Sequence, residues 1–117
     1  MRKKLDYEYC SASPILEWLG DKWALVVLLK LHERGAVRFN ELYRIIPSIS
    51  EKMLSGVLRA LVTDGLVNRK PYPSIPPKVE YYVSDLGNSL IPHLERLKQW
   101  GQDNFGTIME NREKNKY

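Results

Sequence analysis

Four of the seven prolines in this 117-residue chain fall within one run of seven residues, PYPSIPP at 71–77. Proline fixes its own φ and has no amide to donate, so this run is excluded from a helix and from the middle of a sheet. It has to form a stiff, protruding loop. The segments on both sides alternate. Leu66–Lys70 precedes the run; Lys78–Ser84 follows it, with Val79, Tyr81 and Val83 opposite Glu80, Tyr82 and Ser84. Period two on both flanks of a turn predicts a β-hairpin over residues 66–84 with a proline-stiffened tip.

The segment before the hairpin reads as a capped helix. Ser50 is a good N-cap, because its hydroxyl can accept from an otherwise unpaired amide of the first turn. Met53, Leu54, Val57, Leu58, Leu61 and Val62 recur at spacings of three and four and make one apolar stripe. Gly65 supplies a left-handed stop. The other face carries Ser50, Glu51, Lys52, Ser55, Gly56 and Arg59, which are short or hydrogen-bonding side chains. Such a face can approach a DNA groove closely, although on its own it also fits an ordinary amphipathic surface helix. Upstream, Asn40 is expected to cap a short helix with Leu42, Ile45 and Ile46 on one face, closed by Pro47. Only Pro47–Ile49 separates the two helices, so residues 40–65 form a candidate helix-turn-helix.

Toward the N-terminus, residues 1–9 form a basic, aromatic arm. Ser13 and Pro14 suit the start of a short helix bearing Ile15, Leu16, Trp18 and Leu19. Asp21 can cap the next helix, KWALVVLLKLHE, which is apolar on nearly every side and should be the central core helix, ending at Gly35. Ala36–Phe39 reads as a small strand. At the other end, Asp85 is expected to cap a last helix over 85–110. Its stripe is Leu86, Leu90, Leu94, Leu97 and Gly101, with Ile91, Trp100 and Phe105 beside it and a kink expected at Pro92. A terminal helix with this much apolar surface has little left to cover in so small a chain. It predicts a partner face, most simply a homodimer, built from Trp18, Leu94, Leu97, Trp100 and Phe105. The expected fold is therefore mainly α with a small β-hairpin: one winged helix-turn-helix domain over 1–117, with additional N- and C-terminal dimerisation helices.

Charge narrows the partner. The net charge is +4, and residues 50–78 alone carry +3, with five Lys/Arg against two Asp/Glu. Positive charge focused there favours a polyanion over a protein partner. The single cysteine excludes an internal disulfide and fits a reducing, cytoplasmic setting. No apolar run approaches the roughly 20 residues of a membrane helix, and MRKKLDYEYC lacks the apolar core of a signal peptide. His32 and His93 are isolated and form no metal set with Cys10. No phosphate-binding glycine loop, paired carboxylates or nucleophile elbow is present. The expectation is no enzyme, no cofactor and no metal.

Several motifs, in order and with consistent spacing over roughly residues 10–101, carry a resemblance. They are Gly20–Trp23 (GDKW), Arg38–Leu42 (RFNEL), Ile49–Leu54 (ISEKML), Asp64–Val67 (DGLV) and Tyr72–Gly87 (YPSIPPKVEYYVSDLG), with Cys10 thirteen residues before Trp23. The chain resembles the HxlR-type winged helix-turn-helix transcriptional regulators. The resemblance implies a homodimer that sets one recognition helix per subunit into successive major grooves of a double-stranded DNA operator, with half-sites about 10 base pairs apart or a multiple of that. Ser50, Lys52 and Ser55 would meet base edges or nearby phosphates, and Arg59 a phosphate or a guanine. Glu51 would accept from a cytosine amine or simply favour the helix N-terminus. Arg69, Lys70, Tyr72 and Lys78 would serve the wing, and Arg38 and Asn40 would add phosphate contacts. Two departures stand out. Ser11 replaces the proline usual after the cysteine, and Ser55 and Gly56 stand where longer polar side chains are common. Relatives of this type include sensors of oxidants or electrophiles acting through a cysteine near this place, which makes Cys10 a candidate redox-sensing thiol; a passive interface thiol is the alternative. Two rival readings are a winged-helix protein-interaction module and a small-ligand-responsive regulator with no redox role for Cys10.

Overall fold

The computed structural model describes residues 22–116. The element order is α1 (Lys22–Arg34), β1 (Val37–Arg38), α2 (Phe39–Ile45), α3 (Glu51–Thr63), β2 (Val67–Tyr72), β3 (Lys78–Val83) and α4 (Asp85–Lys114). The expected arm, the short helix after Pro14, Cys10 and Trp18 lie outside the described residues.

The core forms around α1, as its nearly unbroken apolar run requires. Val27, Leu28 and Leu31 are fully enclosed, and the helix packs against α3, α4 and β3. Leu42 from α2 and Leu54, Leu58 and Leu61 from α3 close the same core, with Val37, Val67 and Val83 from the sheet. The three strands are antiparallel in the order β1-β3-β2, so the expected hairpin is present and β1 extends it into a sheet.

The helix-turn-helix is held at both ends of α3. The Ser50 hydroxyl accepts from the Met53 amide at 3.0 Å, a cap of a kind worth about 1 kcal/mol. The preceding turn places Ser48 in the left-handed region at φ 67°, which lets the chain bury Ile49 before the helix starts. At the far end Gly65 has φ 80°. Its amide donates to the Val62 carbonyl and the Leu66 amide to the Leu61 carbonyl, both at 3.0 Å. That pair of bonds is a Schellman stop, and the positive φ explains the glycine.

Several boundaries differ from the sequence reading, each for a physical reason. The helix expected to be capped by Asn40 begins at Phe39. Arg38 occupies the N-cap without a side-chain bond, and Asn40 lies exposed in the first turn. The strand before it is only two residues long because the chain turns at once to pack Phe39 against the core. Ser84, not Asp85, caps the last helix: its hydroxyl accepts from the Gly87 amide at 3.0 Å. β2 runs on through Pro71 to Tyr72, which costs no ladder bond on the outer side because β2 is an edge strand. Met53 leaves the apolar stripe and stands 47% exposed.

The last helix is longer than expected, running unbroken past Pro92 to Lys114. Only its first part belongs to the domain core: Gly87, Ile91 and Leu94 are its buried residues. Leu94 therefore packs inside its own subunit and has little surface left for a partner, a correction to the expected interface. Beyond it no residue of α4 is buried, and Leu97, Trp100, Phe105 and Met109 are exposed.

Candidate nucleic-acid interface

Helical spacing sorts the side chains of α3. Opposite the buried Leu54, Leu58 and Leu61 lie Lys52, Gly56, Arg59 and Thr63, spaced four, three and four residues apart and all exposed. A Cβ built on Gly56 would meet nothing within 4 Å. Glycine in a helix interior costs about 1 kcal/mol relative to alanine, and among the described residues no packing asks for it. It leaves room for another surface to come close to the helix axis. Met53 is exposed on the flank of the same stripe, and Glu51 occupies the first turn, where a carboxylate favours the helix N-terminus.

The sheet register divides the predicted wing residues between two faces. Tyr81 on the central strand pairs with Val37 on one side and Arg69 on the other. Side chains of paired residues share a face, so Arg69 lies on the side of the buried Val37, toward α3. There it lines one cleft with Ser55, Arg59, Thr63 and Tyr81. The neighbouring row is Arg38, Glu80 and Lys70, on the opposite face together with Tyr72 and Lys78.

That opposite face is already engaged within the chain. The Tyr72 hydroxyl donates to Glu80 Oε1 at 2.8 Å. Lys78 Nζ is 3.7 Å from Glu80 Oε2, and the Lys70 and Lys78 ammonium groups sit 5.2 and 4.8 Å from the Tyr72 ring centre. The hydrogen bond to Glu80, with smaller contributions from burial and from the charges of Glu80 and Tyr82, pushes the Tyr72 phenol above its ordinary range. Tyr72 and Lys78 are thus organised around a carboxylate that was not among the expected site residues. Converting Glu80→Gln keeps an acceptor for Tyr72 while removing the charge that holds Lys78. Duplex binding is expected to tighten about two- to five-fold at low salt and to converge with the parent at high salt, as the screening of exposed charges requires. Equal affinities at both salts would remove Lys78 from the interface.

Arg38 and Asn40 are exposed beside the start of α2, where Arg34 and Glu41 form a surface pair at 3.8 Å. Thr63 and Tyr81 also join the site. Thr63 could have been found from its eleven-residue spacing to Lys52; Tyr81 required the strand register. Among the described residues no group of three His, Cys, Asp or Glu is placed to hold a metal, and no helix is long and apolar enough to cross a membrane.

Known proteins are similar to this chain in sequence and fold. Residues 18–109 match the family model described as HxlR-like helix-turn-helix. An uncharacterised HTH-type transcriptional regulator of Methanothermobacter thermautotrophicus is 43% identical over 107 residues, spanning 91% of this chain and 80% of that protein. The uncharacterised HTH-type transcriptional regulator YkvN of Bacillus subtilis is 49% identical over 92 residues, spanning 79% and 77% of the two chains. Among solved structures, the redox regulator HypR in its reduced form superposes with a TM-score of 0.80 at 37% identity, covering 86% of this chain and 99% of that one.

Proposed function

This chain belongs to the HxlR-like helix-turn-helix family, whose members here are transcriptional regulators and not enzymes, and from that premise we propose that it binds double-stranded DNA sequence-specifically as a homodimer. In this reading α3 enters the major groove along Lys52, Gly56, Arg59 and Thr63. Ser50 and Ser55 stand at its leading end and flank, and the wing lies on the backbone or in the minor groove. The observation that carries the proposal is that exposed stripe, with two cations and a helical glycine that nothing among the described residues explains. The two Asp/Glu against five Lys/Arg in residues 50–78 favour DNA over a protein partner.

Lys52→Ala and Arg59→Ala test it. Each removes an exposed side chain, so the fold and oligomeric state should be unchanged. Each should weaken binding to a selected operator about 10-fold, and up to about 100-fold where the lost contact is bidentate to a base. Unchanged affinity in both variants would remove α3 as the reading element.

Control by a thiol is a finer element of the same proposal, favoured by the likeness to a protein described as a redox regulator. With one cysteine per chain, an added thiol oxidant would take two electrons and two protons from the Cys10 thiols of two subunits to form one bridge. Alternatively, it would join Cys10 to a small thiol. Cys10→Ser should keep DNA binding and lose the oxidant response. An unaltered oxidant response would remove Cys10 as the sensing thiol, whereas a small-ligand response that survives in Cys10→Ser would favour the ligand-responsive reading.

A further inference from the structure

We infer that the cleft between α3 and β2 is a seat for a single phosphate-type oxyanion. On the reading above, a backbone phosphate of the bound DNA fills it.

The polar lining consists of Ser55, Arg59 and Thr63 from the helix and Arg69 and Tyr81 from the sheet. The three helical residues are four apart and so stack along one flank of α3. Arg69 and Tyr81 are register partners on adjacent strands and meet that flank at one level. Every polar group in the set can donate a hydrogen bond: two guanidiniums and three hydroxyls. Among the described residues no carboxylate lines the cleft. Among the described residues none of the five side chains makes a hydrogen bond or an ion pair within the protein.

The other face of the same sheet shows what the fold does where no outside anion is needed. There Glu80 accepts from Tyr72 and pairs with Lys78. Two arginines lining one cleft with no counter-charge among the described residues repel each other, and an anion between them reverses that energy. Leu58 and Val62 supply apolar walls, and reduced solvation strengthens charge-assisted bonds to a bound oxyanion. Held from the helix and the wing together, one phosphate would fix the depth of α3 and the position of the wing with no base being read. Tyr81 thereby becomes a binding residue beyond the recognition stripe and the wing cations, and Thr63 takes a phosphate-holding role at the end of that stripe.

The test uses the full chain, with inorganic phosphate and a selected operator duplex as separate probes. Arginine side-chain NMR signals and backbone amides are followed in the parent, in Thr63→Val with Tyr81→Phe, and in Arg69→Gln. With inorganic phosphate alone, shifts should concentrate on Arg59, Arg69, Ser55, Thr63 and Tyr81. They should fall at least three-fold in the hydroxyl-deleted double variant. On DNA, that variant should lose about three- to ten-fold in affinity on operator and unrelated duplex alike, and Arg69→Gln should lower the salt slope by about 1. Phosphate shifts without any change in DNA affinity would support the oxyanion seat and overturn its assignment to the DNA backbone. Phosphate shifts in a parent protein that binds no duplex would leave the seat standing and sink the regulator reading instead. No phosphate shifts together with unchanged DNA affinity in both variants would overturn the inference.

Discussion

Substituting Leu97→Glu and Trp100→Glu together is expected to yield a folded monomer that has lost about 100-fold or more of its operator affinity. The two side chains are 53% and 57% exposed in the subunit, so changing them removes nothing from its core. The residues that dock α4 onto the domain, Gly87, Ile91 and Leu94, are left intact. Beyond Leu94 the helix continues for twenty more residues with no buried side chain. Most helical stability in proteins comes from packing of an apolar face, and Leu97, Trp100, Phe105 and Met109 give this stretch such a face. A second copy covering that face accounts for both features. Four glutamates brought together across a two-fold contact would be buried unpaired, which the contact cannot tolerate. The affinity loss follows from linkage. In a dimer the second half-site binds at an effective concentration in the millimolar range, which can multiply affinity by roughly 100 to 10,000. Sedimentation and duplex titration read both effects. A variant that stays dimeric would exclude this face from the interface.

Gly87→Ala is expected to be strongly destabilising although it adds only one methyl group. A Cβ at this position would collide with the Leu66 carbonyl oxygen and lie 2.6 Å from Val83 Cγ1. One obstacle is backbone, so no rotamer change removes it. The neighbourhood is also tightly bonded: Ser84 donates from its hydroxyl to the Gly65 carbonyl at 2.6 Å, and from its amide to the Leu66 carbonyl at 3.0 Å, while capping α4. The exit of α3, the start of β2, the end of β3 and the entry of α4 therefore meet at one joint. Forcing it apart should cost about 2–3 kcal/mol, or a fall in Tm of roughly 10–20 °C for a domain of this size. Gly56→Ala is the matched control. Open space around its Cβ predicts a gain of about 0.5–1 kcal/mol in stability, and the added methyl on the groove-facing stripe predicts weaker DNA binding. Thermal melts that shift equally for the two variants would contradict both assignments.

These two glycines show how far the sequence could be read. Period and caps were legible: the alternation around PYPSIPP, Ser50 and Gly65 bounding α3, and the apolar run of α1 are local signals, and local bonds satisfy them. Boundaries next to several hydroxyl or amide side chains were less so. Ser84 and Asp85 are equally good caps by type, and only the carbonyl of Gly65, nineteen residues away, selects Ser84. Leu94 and Leu97 look alike on one stripe; only the packing of α4 on the domain core separates the buried one from the exposed one. The wing was the hardest part. Arg69 and Lys70 are adjacent and both basic, yet a strand sends them to opposite faces, and only the pairing with Tyr81 and Glu80 says which one joins the recognition helix. Glu80 was invisible as a site residue because its meaning comes from Tyr72 and Lys78 across the strand pair.

The most direct test of the central claim is selection from a pool of random-sequence duplexes by the purified full-length protein, with the enriched sequences read out at two salt concentrations. A homodimer reading DNA through α3 should enrich one motif with dyad symmetry. Its half-sites should lie about 10 base pairs apart or at a multiple of that, and the enrichment should persist at the higher salt and be lost in Lys52→Ala. Sequences no different from the input pool, with binding that disappears as salt rises, would mean that only charge attraction holds DNA to this surface and would contradict the account.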